Sequence, residues 1–343
     1  MIRIDEIYSN VFVPIASKKT NTGLHWFDPF GSTNFNDICN VPPVDGKANA
    51  RYVFYDQEPL YRNRTKHFFD QYIQTYFGPT TLIHSEYASE DVAWLENTYS
   101  IASCYYFFHG WAALDWYRGY NRSFLHQDRN IKHTYLCPNN IVGGERTHRL
   151  ELFSELGERN LINNNLISMP AVCPHEGETV EQLLNNLSLF VPDVVLPLTI
   201  DSYDNHAGSS HQVTLWEQAA STLVHVVTET VYKGHKNHLT EKTFKPIVLQ
   251  QPFIVVGNRG SLQYLKRYGF QTFSDAWDES YDEADDATRV KKIAALLEEL
   301  EHADREYLYE LCLPAIKHNH NWFYSGGFER VLWDELLAMV NQW

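Results

Sequence analysis

Residues 238–242 read His-Leu-Thr-Glu-Lys and follow a strongly strand-like run at 221–227. Thr240 fits a helix N-cap, with Glu241 and Lys242 in the first turn behind it. A lysine there opposes the helix dipole and is slightly unfavourable unless an anion sits beside it. Glu241 can chelate ribose hydroxyls while Lys242 meets phosphates. Lys233, His235, Lys236 and His238 precede the turn, and Glu229 and Asn237 share the loop. The candidate binding set here is therefore Glu229, Lys233, Asn237, Thr240, Glu241 and Lys242. The alternative is a solvated basic loop.

A second candidate segment runs from Pro138 to Arg149, after a strand-like run at 134–137. Gly143 and Gly144 permit close backbone approach, and Arg146 and Arg149 sit where a helix should start. Guanidinium forks pair with phosphate oxygens, and a helix N-terminus adds to the attraction. The alternative is an ordinary loop with surface arginines.

Groups able to take a proton from a hydroxyl lie in the first third of the chain. Asp56 and Glu58 follow the first strong strand, and Pro59 restricts Glu58 to extended backbone. His84 and Glu86, then His109 and Asp115, follow the next two strands. Asp115 is alternatively a helix-surface residue, and His109 a loop or core histidine. No His-Glu-x-x-His, G-x-G-x-x-G or P-loop pattern occurs, and no clear D-x-D. His318-Asn319-His320 has no further marked ligand set, so no metal is expected.

The elements that must carry these residues follow a regular rhythm. Strands are expected at 51–55, 81–84 and 101–108, with helices at 65–77, 89–97 and from Trp111. The rhythm restarts at 134–137. It continues with a helix at 145–158, a strand at 166–169 and a helix at 178–189. Strands at 221–227 and 252–256 then alternate with helices at 240–249 and 261–268. The tail from Thr288 should be mostly helical, interrupted near Pro314 and Gly326-Gly327. The acidic run Asp275–Asp286 reads as a solvated loop. Short apolar strands alternating with helices mean βαβ units and parallel sheets, so the class is α/β with two blocks. In such sheets ligands bind at the C-terminal strand ends.

The chain has 343 residues, 44% hydrophobic, enough for two cores. A net charge of −15 leaves room for a local basic patch only, against a broad nucleic-acid face. Five cysteines without a C-x-x-C pair suggest a reducing compartment. With no leader pattern and no apolar run near 18 residues, a cytoplasmic protein without a membrane span is expected.

Thr228-Glu229, Asn237 to Lys242 and Pro252 to Gly257 together resemble the signature of fucosyltransferase-like GT-B glycosyltransferases. The stretch Cys137 to Arg149 is similar to that family's upstream segment, in the correct order. The chain departs from the pattern at His238, where Asp-Tyr is usual, and at Gln250-Gln251, which replace a small residue and a glycine. Phe54 to Leu60, His84-Ser85-Glu86, His109 to Tyr117 and Leu239 to Gly260 also look like glycosyltransferases common in tailed-phage genomes. The resemblance implies two Rossmann-like domains with a cleft between them and a helical C-terminal tail. Residues 1–130 would take the acceptor and residues 131–343 the donor. It implies a nucleoside-diphosphate sugar, UDP- or GDP-linked, as co-substrate and no bound cofactor. Arg146 or Arg149 and Lys242 would contact the diphosphate, and Glu241 the ribose. The catalytic base would come from Glu58, Asp56, His109 or Asp115; a retaining reaction would need none. One acceptor candidate is the hydroxymethyl group of modified cytosine in phage DNA, which implies the host cytoplasm. The alternatives are a surface glycan, protein or small glycoside, or a non-catalytic binding module.

Overall fold

A computed structural model describes residues 3–18, 22–26, 50–75, 78–122, 129–200 and 211–342. Two parallel four-stranded sheets organise it. The first contains β1 (Thr22–Trp26), β2 (Ala50–Tyr55), β3 (Thr80–His84) and β4 (Ala102–Tyr105) in that order. The second contains β5 (His133–Cys137), β6 (Leu166–Ile167), β7 (Thr222–Thr228) and β8 (Phe253–Val256), in the order β6-β5-β7-β8. The α/β class is therefore as expected, with a helical C-terminal region.

The chain divides into two compact units. Unit 1 holds Met1–Asp115, His235–His238 and Gly326–Trp343; unit 2 holds Trp116–Gly234 and Leu239–Ser325. The last helix and four loop residues join the first unit, because their packing partners lie there.

In unit 1, Tyr55, Leu60, Phe69, Leu82, Val92, Leu95 and Ile101 pack as one core cluster beside the sheet. A helical segment over residues 4–17 adds Tyr8 and Phe12, which meet Phe54 edge-on at 5.6 and 4.9 Å. The helix Gly327–Val340 packs on the helix Phe108–Tyr117, with Trp333 against Trp111 at 4.9 Å. Gly110 lets them close: a Cβ there would fall 3.0 Å from Phe328 and 3.1 Å from Leu332.

In unit 2, all seven residues of β7 are buried, as a central parallel strand covered on both faces requires. His225 in that strand is held neutral, burial pushing its pKa down to about 3. The helices His148–Glu158 and Asp286–Glu301 bury Leu150, Phe153, Val290, Ile293 and Leu297. Three local expectations are corrected. The helix Arg305–Tyr324 runs unbroken through Pro314; the tail is interrupted after Glu301, before the N-cap Asp304, and at Gly326, as expected there. Cys312, Ala315 and Ile316 are buried around the proline, and this packing outweighs the one backbone bond it removes. The acidic run is not a solvated loop throughout. Asp282 is buried and accepts from the N–H groups of Leu262 and Gln263, while Asp285 caps the helix Asp286–Glu301. The helix expected at 240–249 is a 3₁₀ turn, Glu241–Thr243, followed by Phe244–Val248. Among the described residues no helix is long and apolar enough to cross a membrane.

Candidate functional site

The order β6-β5-β7-β8 puts β5 and β7 side by side, with chain order running outward from them in both directions. That is the topological switch point of unit 2, where loops at the carboxyl ends leave a crevice for a ligand. Both candidate binding segments sit there. One follows β5 and the other follows β7.

The second loop is organised by Glu229, which is fully buried. Its carboxylate accepts from Thr240 N at 3.0 Å, Thr240 Oγ1 at 2.6 Å and Thr243 Oγ1 at 2.6 Å. Glu229 is thus fully engaged with the chain itself, and its effect is to fix the turn that carries Glu241 and Lys242. Thr240 is the N-cap, accepting from Lys242 N–H as expected. Glu241 is buried, and its backbone carbonyl accepts from the Tyr117 hydroxyl at 3.4 Å. Lys242 keeps 36% of its side chain exposed and pairs with Glu241 at 2.9 Å. The anion that a lysine in this position calls for is therefore supplied in part by its own neighbour. Lys245, on the next turn, is pushed down to about 8 by burial, against the attraction of Glu241.

Two further residues tie the loops together. Arg149 is buried, and its guanidinium donates to the carbonyls of Ile141, Thr228 and Glu229 at 2.6, 2.8 and 3.2 Å. His148 stacks on Tyr232 at 4.8 Å and reaches the Glu229 carbonyl at 3.1 Å. Arg146 differs from Arg149. It ends the 3₁₀ turn Gly144–Arg146, is half-buried, and its guanidinium makes no hydrogen bond or ion pair among the described residues. Lys233 is exposed and lies 3.6 Å from Glu151 at the surface.

The loop after β7 does not stay in unit 2. Asn237 exchanges both backbone hydrogen bonds with Tyr87 of unit 1, each 2.9 Å. Lys236 is 3% exposed, bonding Glu86 at 2.9 Å, Asp91 at 2.8 Å and the Leu60 carbonyl at 2.7 Å. Neither a solvated loop nor a ligand site describes this lysine. Its tertiary partners could not be found from its neighbours in sequence.

The four candidate bases all lie in unit 1, in four different settings. Asp56 is buried, and one of its oxygens accepts from the hydroxyls of both Tyr8 and Tyr106. Asp115 is half-buried and accepts from Ile4 N–H at 3.1 Å. Glu58 is half-buried. His109 is buried, with Nε2 2.9 Å from the Gln57 carbonyl and the His238 ring edge-on at 4.9 Å. A carbonyl can only accept, so Nε2 carries a hydrogen. His84 and Glu86, also candidates by position, are buried. Burial pushes the His84 pKa down to about 3. Glu86 is engaged by Leu60 N–H, Ser89 and Lys236.

Gln250, where the resembled pattern has a small residue or glycine, adopts φ +55. This is the left-handed conformation that glycine takes without cost. Gln251 is buried and donates to Thr222 Oγ1 at 2.6 Å.

Neither protein-family models nor curated protein sequences match this chain.

Proposed function

We propose that the chain is a GT-B glycosyltransferase that moves a sugar from a nucleoside-diphosphate sugar to an acceptor hydroxyl. The observation that carries this reading is the switch point between β5 and β7. There a glycine pair with Arg146 follows one strand, and a turn presenting Lys242 beside Glu241 follows the next. Two cations and a glycine turn at adjacent strand ends suit a diphosphate, and a carboxylate beside them suits ribose hydroxyls.

In this reading Arg146 and Lys242 meet the diphosphate and stabilise the charge it gains on leaving. Glu229 and Arg149 act as positioning residues. Each already spends its polar atoms on the chain, and each fixes a loop that carries a contact residue. Among the four candidate bases, Glu58, His109 and Asp115 stay in view. Asp56, held by two phenols, serves the core. The acceptor falls into two classes, hydroxymethylated cytosine in duplex DNA or a glycan or small glycoside, and a net charge of −15 favours the second.

Thermal unfolding in the presence of UDP- and GDP-sugars tests donor binding, since a ligand of the folded state raises its stability. Transfer to the two acceptor classes then separates them. Lys242→Ala should abolish transfer while the protein stays folded. Near-normal transfer by that variant would sink the donor-site assignment, and a fold that responds to no nucleotide sugar would favour a non-catalytic module.

A further inference from the structure

The glycine turn after β5 holds an anion that belongs to the chain. Glu176 stands on an exposed loop of unit 2, and its Oε1 accepts from Gly144 N–H at 2.5 Å. The carboxylate lies directly against Gly143. A Cβ built there would fall 1.7 Å from Oε2 and 2.3 Å from the carboxyl carbon. Gly144 has φ +58, a backbone conformation that side chains disfavour. The first glycine is therefore needed for space and the second for its backbone. Together they form a cradle that a side chain would fill and that an anionic oxygen fits. A carboxylate and a phosphate oxygen ask the same of an amide N–H, since both are charged acceptors.

We infer that Glu176 is a resident stand-in for the donor's diphosphate, and that it must leave the Gly143–Gly144 cradle before a phosphate can enter. This rests on the donor-site reading above. Among the described residues Glu176 has no partner besides Gly144 N–H, and its side chain is exposed, so it is lightly held. A diphosphate brings more charge and gains the Arg146 guanidinium in addition to the amide. The loop that carries Glu176 is closed on itself: Cys173 N–H donates to the Glu178 carbonyl at 2.8 Å, and Gly177 N–H to the Cys173 carbonyl at 2.9 Å. The side chain can therefore swing out while its backbone stays. The consequence is selection. Weak monoanions lose to the internal carboxylate, and only a polyanionic group displaces it.

Titration calorimetry of inorganic pyrophosphate into the full chain tests this, using wild type, Glu176→Ala, Glu176→Gln and Arg146→Ala. Glu176→Ala should bind pyrophosphate about tenfold more tightly, ~1.4 kcal/mol, the scale of one charge-assisted hydrogen bond. Glu176→Gln should gain less, because its amide oxygen can still occupy the cradle without the charge. Arg146→Ala should weaken binding in both the wild-type and the Glu176→Ala background. Equal affinity of wild type and Glu176→Ala, with Arg146→Ala weaker than both, overturns the stand-in role and leaves the donor site intact. Failure of every variant to bind pyrophosphate or UDP and GDP, with thermal unfolding showing all of them folded, overturns the donor-site reading and this inference with it.

Discussion

Replacing Lys236 with Met removes an ammonium group but keeps most of the apolar stem that packs around it. The loss leaves Glu86, whose side chain is 1% exposed, without its cation, and removes the Lys236 bond to the Leu60 carbonyl. Glu86 keeps Leu60 N–H and Ser89, so it stays solvated in part by the chain. Its burial already pushes its pKa up, with Lys236 opposing that effect. Removing one member of a buried pair costs about 3–5 kcal/mol, mostly through the uncompensated charge. A domain holds only about 5–15 kcal/mol, so the variant should consume about a fifth or more of unit 1's stability. The control is an exposed pair of the same unit: Lys66 meets Asp70 at 2.6 Å with side chains 58% and 40% exposed, and such pairs contribute little to stability. Urea unfolding at pH 7 measures both, and the double variant Lys236→Met with Glu86→Gln should recover at least ~1 kcal/mol. A loss below ~1 kcal/mol for Lys236→Met, or an equal loss for Lys66→Ala, would refute the reasoning from burial.

Three other outcomes follow from buried groups. Glu229→Ala should cost roughly 3 kcal/mol or more by stranding the donors on Thr240 and Thr243, and should weaken nucleotide binding further than that loss of fold explains; unchanged stability would show the turn to be held by other contacts. Burial pushes Asp282 up to about 6 from 3.8, so between those pH values the folded state holds a proton that the unfolded state has lost. Stability should therefore fall as pH rises through that window, by roughly 3 kcal/mol, and Asp282→Asn should remove the slope in unfolding measured from pH 4 to 7. His225 has the opposite sign: its pKa lies at about 3 when folded against 6.5 unfolded, so stability is lost as pH falls below 6.5. Between pH 6.5 and 4.5 that loss is about 3 kcal/mol, and a His225→Phe variant that remains as acid-sensitive as wild type would contradict it.

The strands and most helices were legible because their signals are local. Val226, Val227, Ile254 and Val255 fall in short apolar runs that only a doubly covered parallel strand needs. The turn at Thr240 was legible for the same reason, since capping residues act within three positions. The two candidate segments could be set at strand ends from chain order alone. Pro314 shows the limit of such rules, because a local preference gives way where neighbouring side chains are buried.

Tertiary packing sets which charges the fold takes up. Arg146 and Arg149 are the same residue type on one turn, yet Arg149 is consumed by three carbonyls and Arg146 is not. Lys236 and Lys242 share a loop, but the partner that buries Lys236 lies 150 residues away in sequence. Glu176 meets Gly144 across 32 residues. No pattern over neighbouring positions reports such pairings, because the energy that sets a charge's role comes from what the folded chain brings within a few ångströms of it. Local pattern alone sets where the strands end and so where the candidate segments lie. Packing decides which of the residues gathered there are taken up by the chain itself.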